Sequence, residues 1–260
     1  MAITYRSRTE IAGIRTAGQV VMAILAELRQ AVRPGVTTGE LDALAAAGLA
    51  RHNARSNFKG YSPGEGIPPF PGVICASVND EIVHGIPGKR VLNDGDIIAI
   101  DFGAIVDGWH GDSAVTLPVG AISPEAERLL AVTQEALRRG IAQARADNRV
   151  SDISRAIQEY VEGQGMSLVR QYVGHGIGRA LHEEPQIPNY VDPRAPDPRL
   201  RPGLVICIEP MVNLGTAATR EQRDHWTVVT ADGSLSAHFE HTVAVTRGEP
   251  EVLTELAGDG

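Results

Sequence analysis

The chain has 260 residues and a formal net charge of -8, with its basic residues scattered rather than gathered into a stripe, so a phosphate backbone is excluded as the main partner. Apolar residues at 43% and charged residues at 22% exclude disordered, collagenous and coiled-coil classes and allow a large core. The start, MAITYRSRTE, lacks an apolar stretch with a cleavage site, and no later segment is expected to reach the length of a membrane span.

From 10 to 32, Ile11, Ile14, Val21, Ile24, Leu25, Leu28 and Val32 recur at helical spacing; Thr9 is the expected cap, and Pro34-Gly35 ends the run. Thr37 and Glu40 have the offset of a capping box, which predicts a second helix to about Arg51. Residues 58–72 are crowded with Gly and Pro and read as a long surface loop, a feature that favours a role in lining a site. The run 95–102 is a mostly apolar strand carrying Asp101 near its end, and Asp107-Gly108 turns it into a second strand through Asp112 to Leu117. Ser123-Pro124 opens a helix to about Ala144, and Ser151 is the expected cap of another ending near Gly163 or Gly165.

The run 203–209 then repeats the earlier strand, with a glycine six residues before the acid in both Gly95/Asp101 and Gly203/Glu209. Two similar halves around a central curved sheet are expected, with helices on its other face. Residues 226–229 and 237–245 read as the remaining strands, and 248–260 as a short solvated tail. No linker divides the chain, so a single domain over 1–260 is expected, with an arm (1–10), a core (11–247) and that tail. Only Cys75 and Cys207 are present, each inside an apolar run; buried thiols and a reducing, cytoplasmic setting follow as expectations.

Asp101, Asp112, His175, Glu209 and Glu240 stand in apolar or Gly-rich surroundings with no basic neighbour of similar depth in sequence. Taken singly, each acid fits a solvated strand end, as most Asp and Glu do. Taken together in a core they demand compensation, and metal ions hold such charges economically.

These positions fall in motifs that closely resemble the type I, bacterial-type methionine aminopeptidases. The stretch 75–87 (CASVNDEIVHGIP) matches that family's early histidine motif, Asp101 its first ligand acid, and 108–112 (GWHGD) its second. The runs 174–178 (GHGIG), 181–185 (LHEEP), 208–210 (IEP) and 239–242 (FEHT) follow in order, and the resemblance extends from about Ile11 to Val245. It implies an α/β (α+β) creatinase-like pita-bread fold, with two pseudo-symmetric halves around an antiparallel sheet. It also implies a metallo-exopeptidase that removes N-terminal methionine when the second residue is small.

By the same resemblance two divalent metal ions (Co, Mn, Fe or Zn) are expected, with Asp101 on one, His175 and Glu209 on the other, and Asp112 and Glu240 bridging. Such a pair lowers the pKa of a water toward neutrality, and Glu209 is the expected proton acceptor. His182 is assigned to the scissile carbonyl and His84 to the scissile nitrogen, both catalytic. Phe70, Cys75, Trp226, Tyr61 and Phe58 are the substrate-pocket candidates, although Phe58 fits a core equally well. His110, His225, His238 and His241 are read as structural, with His241 orienting its ligand neighbour. The expected partners are peptide and nascent-protein N termini, with transient proximity to the ribosome, no sequence-specific nucleic acid, no membrane and a monomeric state.

Two departures from the family pattern stand out: the stretch 61–70 is longer than usual, and His225 stands where Gly is common. Two rivals remain: a proline-specific peptidase of the same fold, for which the 83 residues before His84 leave little N-terminal room, and a non-enzymatic binding protein on the same scaffold, which is expected to have lost ligands.

Overall fold

The computed structural model describes residues 2–64 and 66–255. Helix α1 (Arg8–Ala31) opens on a capping box in which Glu10 N–H donates to Ser7 Oγ and the Glu10 carboxylate accepts from Ser7 N–H, so Ser7 rather than Thr9 is the cap. Ser7 wins because it stands three residues before Glu10, the offset that lets both bonds close. Helix α2 (Thr38–Arg51) uses the predicted Thr37/Glu40 box. Helix α3 (Pro124–Gln143) follows Ser123 as expected, whereas α4 (Val150–Gly163) is capped at Arg149. Ser151 lies inside α4, where Asp197 takes both its backbone N–H and its hydroxyl.

By length and composition α1 is apolar enough to cross a membrane, which corrects the expectation that no segment approaches a span. Its period of 3.6 instead places Val21, Ile24, Leu25 and Leu28 on one buried side, packed with α2 and the sheet into one core. Helices α3 and α4 cover a second core built around Leu129, Ile153, Ile157, Ile206 and Ile208. Two helix pairs therefore back two halves of one sheet, as expected.

That sheet has nine strands: β1 (Arg55–Ser56), β2 (Ile74–Val78), β3 (Ile97–Val106), β4 (Trp109–Pro118), β5 (Gly174–Gly176), β6 (Glu183–Ile187), β7 (Val205–Ile208), β8 (Glu240–Ala244) and β9 (Glu251–Val252). The order is β1-β3-β4-β8-β7-β5-β6, with β2 also on β3 and β9 on β8, and every pairing is antiparallel. The repeat seen in sequence has a physical basis. Gly95 and Gly203 both adopt φ 94°, in the left-handed region that favours glycine. Each donates its N–H to the end of a neighbouring strand, Gly95 to Val119 O and Gly203 to Val245 O.

The expected strand 237–245 is broken. Ser236–His238 pairs with Met211–Asn213 in a small separate sheet, and the chain crosses into β8 at Phe239. Both sides of the break are buried, Ser236, His238 and Glu240 included, so no change of exposure marks it. The tail is corrected too: β9 pairs with β8, and Leu253 and Thr254 are buried, because Thr254 Oγ1 accepts from Thr242 N–H. Met1 of the arm and 256–260 of the tail lie outside the described residues.

The two halves meet at a short seam, where β4 and β8 pair only at Ser113/His241 and Ala114/Glu240. Hydroxyls stitch it. Ser113 Oγ donates to Glu240 O (2.7 Å), Thr242 Oγ1 to Asp112 O (2.8 Å) and Thr116 Oγ1 to His238 O (2.7 Å). Behind the seam α1 lies almost on the backbone of β4: a Cβ at Gly111 would stand 2.6 Å from Gly18 N and 2.8 Å from the Ala17 carbonyl carbon. Gly111→Ala should therefore destabilise the chain by about 1–3 kcal/mol. A urea titration would show a lower midpoint with an unchanged slope; an unchanged midpoint would mean that α1 shifts without cost.

Candidate metal centre and its cleft

Strand pleating decides which acids meet. Asp101 pairs opposite Ala114, Gly103 opposite Asp112, and Ala114 opposite Glu240, so Asp101, Asp112 and Glu240 project from the same face. On the other half Cys207 pairs opposite Thr242, two residues after Glu240, and Glu209 follows Cys207 by two just past the end of β7. Gly176 pairs opposite Ile206, which puts its neighbour His175 on the face of Cys207. Cys75 joins them opposite Asp101. The register thus brings all five expected ligands to one face.

Carboxylate oxygens of Asp101, Asp112 and Glu240 lie within 4.8 Å of one another, as do donor atoms of His175, Cys207 and Glu240. Glu209 sits between two imidazoles, with Oε1 at 3.6 Å from His175 Nε2 and Oε2 at 3.8 Å from His238 Nε2. His175 Nδ1 is within 2.9 Å of Gly176 O, which fixes it as the donor and leaves the Nε2 lone pair available to a cation.

The electrostatics of this cluster are severe. Burial pushes the Asp101 carboxyl up to about 7, and burial followed by mutual repulsion raises Asp112, Glu209 and Glu240 well above the carboxylate range. Burial holds His175 down at about 3 and His84 at about 4, each with His182 as the next cause. Among the described residues the only basic groups paired with these acids are the imidazoles of His175 and His238, both at Glu209 and both held neutral by burial. Asp101 Oδ1, Asp112 Oδ1 and Glu240 Oε1 are buried without a hydrogen-bond partner among the described residues. Such oxygens are costly unless a cation takes them. The donor set, hard oxygens with one imidazole, fits a divalent transition metal.

The cavity over this cluster is lined by the five expected ligands, His84, His182, and all five pocket candidates: Phe58, Tyr61, Phe70, Cys75 and Trp226. Asp42 Oδ1 sets the position of Cys75 by accepting from Val73 and Ile74 N–H at the start of β2. The Phe70 and Trp226 rings meet edge to face at 5.1 Å, and Trp226 Nε1–H donates to Pro68 O (2.8 Å), tying the long 61–70 loop to the wall. Asp224 holds Trp226 by accepting from the N–H groups of 226 and 227. The departure at His225 sits at φ 66°, a conformation that explains why glycine suits this place. His84, itself at φ 61°, stands edge-on between Tyr172 (5.4 Å) and Trp226 (6.1 Å).

Sequence reasoning missed Leu181, which lines the cavity, Tyr172, which flanks His84, and the position of His238 beside Glu209. Leu181 stands directly before His182 in a quoted motif, a usable signal; Tyr172 and His238 carry none. His241 does not orient Glu240: the register turns it to the opposite face, where its Nδ1 meets Thr254 Oγ1 at 3.0 Å. A wider groove of about 480 Å³ between α3 and α4 is lined by Arg138, Arg139, Glu159 and Tyr160, but its two arginines are already paired with Glu135.

The profile of metallopeptidase family M24 matches residues 12–247. The chain belongs to that family. It is 49% identical over 254 residues to methionine aminopeptidase 1 of Bacillus subtilis (strain 168), which covers 98% of this chain and 100% of that protein. The crystal structure of methionine aminopeptidase from Rickettsia prowazekii superposes with a TM-score of 0.92 at 38% identity, covering 98% of this chain and 100% of the other. The Xaa-Pro dipeptidase from Bacillus anthracis shares the fold alone, with a TM-score of 0.75 at 22% identity, and this chain covers only 63% of its length. The resemblance to methionine aminopeptidases and the pita-bread arrangement of this M24 chain are borne out.

In crystals grown with zinc, anomalous density should lie about 2.0–2.2 Å from oxygens of Asp101, Asp112 and Glu240 and from His175 Nε2. Density confined to other parts of the surface would contradict the assignment of these residues as ligands.

Proposed function

We propose that the chain is a methionine aminopeptidase, which hydrolyses the bond after an N-terminal methionine on peptides and nascent chains whose second residue is small. One observation carries this reading: the five candidate ligands share one cavity with the apolar side chains of Phe58, Phe70, Cys75, Leu181 and Trp226. Methionine is unbranched and polarizable, and an apolar lining of this kind suits it.

Asp101, Asp112, His175, Glu209 and Glu240 would hold two divalent ions of the Mn, Fe, Co or Zn type, which supply charge stabilisation and an acidified water. The chain's own residues do the rest. Glu209, whose two oxygens already face two imidazoles, accepts the proton of the attacking water and passes it on. His182, exposed at the mouth of the cleft, donates to the carbonyl oxygen as that oxygen gains charge. His84, wedged between Tyr172 and Trp226, would serve the scissile nitrogen. By the likeness to methionine aminopeptidases, a bulky second residue would crowd His84 and His182, and displacing the carbonyl by about 1 Å costs roughly 10²-fold in rate.

The competing X-Pro reading accepts varied first residues and requires proline second, so a peptide panel separates the two. With metal restored to chelated enzyme, Met-Ala-Ser should be cleaved well, and Met-Lys-Ser and Met-Leu-Ser about 10²-fold less well; the chelated enzyme should be inactive. A kcat/KM for Leu-Pro-Ser comparable to that for Met-Ala-Ser would overturn the assignment.

A further inference from the structure

The long 61–70 loop has a consequence for His182. Its ends are closed by backbone bonds, Phe70 N–H to Tyr61 O (2.8 Å) and Gly60 N–H to Phe70 O (2.9 Å), while Tyr61 N–H reaches Phe58 O (2.8 Å). Inside the loop Ser62 Oγ is within 3.0 Å of both Gly64 O and Ile67 O, and Pro68 O is fastened to the Trp226 indole. Tyr61 is thus held at the root of a tied loop. Its ring stands edge to face against the His182 ring at 5.6 Å, and its hydroxyl lies 3.2 Å from His182 Nδ1. Among the described residues this is the one hydrogen bond that His182 makes.

We propose that Tyr61 is a positioning residue that donates its hydroxyl proton to His182 Nδ1 and so fixes His182 in the tautomer with the proton on Nε2. The direction follows from general chemistry: a phenol hydroxyl is a better donor than a neutral imidazole N–H, and a bare imidazole nitrogen is a better acceptor than a phenol oxygen. With Nδ1 engaged as acceptor, Nε2–H is the nitrogen left to face a ligand in the cavity. A neutral imidazole presents one donor and one acceptor, so the choice made at Nδ1 decides whether the ring can donate to a carbonyl oxygen at all. Without Tyr61 the two tautomers compete, and part of the population offers the carbonyl a lone pair instead of a proton. The effect on turnover rests on the reading of His182 as the carbonyl donor; the tautomer itself does not.

The test is therefore made in two arms on the full chain. In zinc-loaded protein with 15N-labelled histidine, NMR should show for His182 an unprotonated, hydrogen-bonded Nδ1 and a protonated Nε2, and Tyr61→Phe should lose the Nδ1 hydrogen bond and mix the tautomers. The opposite tautomer in the wild type would overturn the proposal, whatever the protein cleaves. In the kinetic arm, Tyr61→Phe should lower kcat on Met-Ala-Ser by about 3–10-fold, with KM and metal content nearly unchanged. The same substitution in a His182→Ala background should have almost no further effect on kcat. An undiminished loss there would show that Tyr61 acts on the substrate or the loop and not through His182. Failure of the wild type to cleave any methionyl peptide would defeat the functional reading while leaving the NMR result to stand.

Discussion

Four carboxylates forced onto one face of a sheet set the terms for everything else in this molecule. Burial and mutual repulsion oppose their ionisation, and three of their oxygens find no hydrogen-bond partner among the described residues. An apolar environment multiplies that repulsion relative to water, so the cluster is a liability for folding unless cations occupy it. The same property makes it a strong binding site for divalent ions. Metal binding and stability of the folded chain are therefore linked.

The fold serves to keep that cluster together. Each half contributes a strand that follows a left-handed glycine by two residues and leads to an acid, and the seam between halves is only two residue pairs wide. Ser113, Thr116 and Thr242 reinforce it with hydroxyl bonds to the backbone of Asp112, His238 and Glu240. Two helix-backed cores carry the load on the far side, leaving the near side free for aromatic walls and histidines. The wall residues are tied in turn, Cys75 through Asp42, Trp226 through Asp224 and Pro68.

Much of this was legible in the residues alone, for identifiable reasons. Apolar periodicity located α1, the Thr37/Glu40 capping box α2 and Ser123-Pro124 α3, while α4 was located through Ser151, which lies inside it. Apolar runs located the strands that lead to Asp101 and Glu209, although β3 continues past Asp101 to Val106. The five ligands and the pocket candidates came from the family motifs, and the cavity contains all of them. Most of what escaped was tertiary. The break at Phe239 is buried on both sides, and the pairing of Glu251–Val252 depends on a strand far away in sequence. Ser7 and Thr9 are both chemically able to cap α1, and only the reciprocal reach of Glu10 decides between them. Tyr172 and His238 are brought to the cleft by contacts across elements, with no local pattern to announce them.

The central claim, that cations offset the cost of this acid cluster, predicts an inversion of stability with metal. In metal-free protein at mildly alkaline pH, Asp112→Asn removes one repelling charge and should unfold at the same or a higher urea concentration than the wild type. With divalent manganese at 100 times the dissociation constant, the wild type should gain about 2.7 kcal/mol per site and the variant far less, so that the order reverses. A variant less stable than the wild type by the same margin with and without metal would contradict the account, because the acids would then be held by the protein itself.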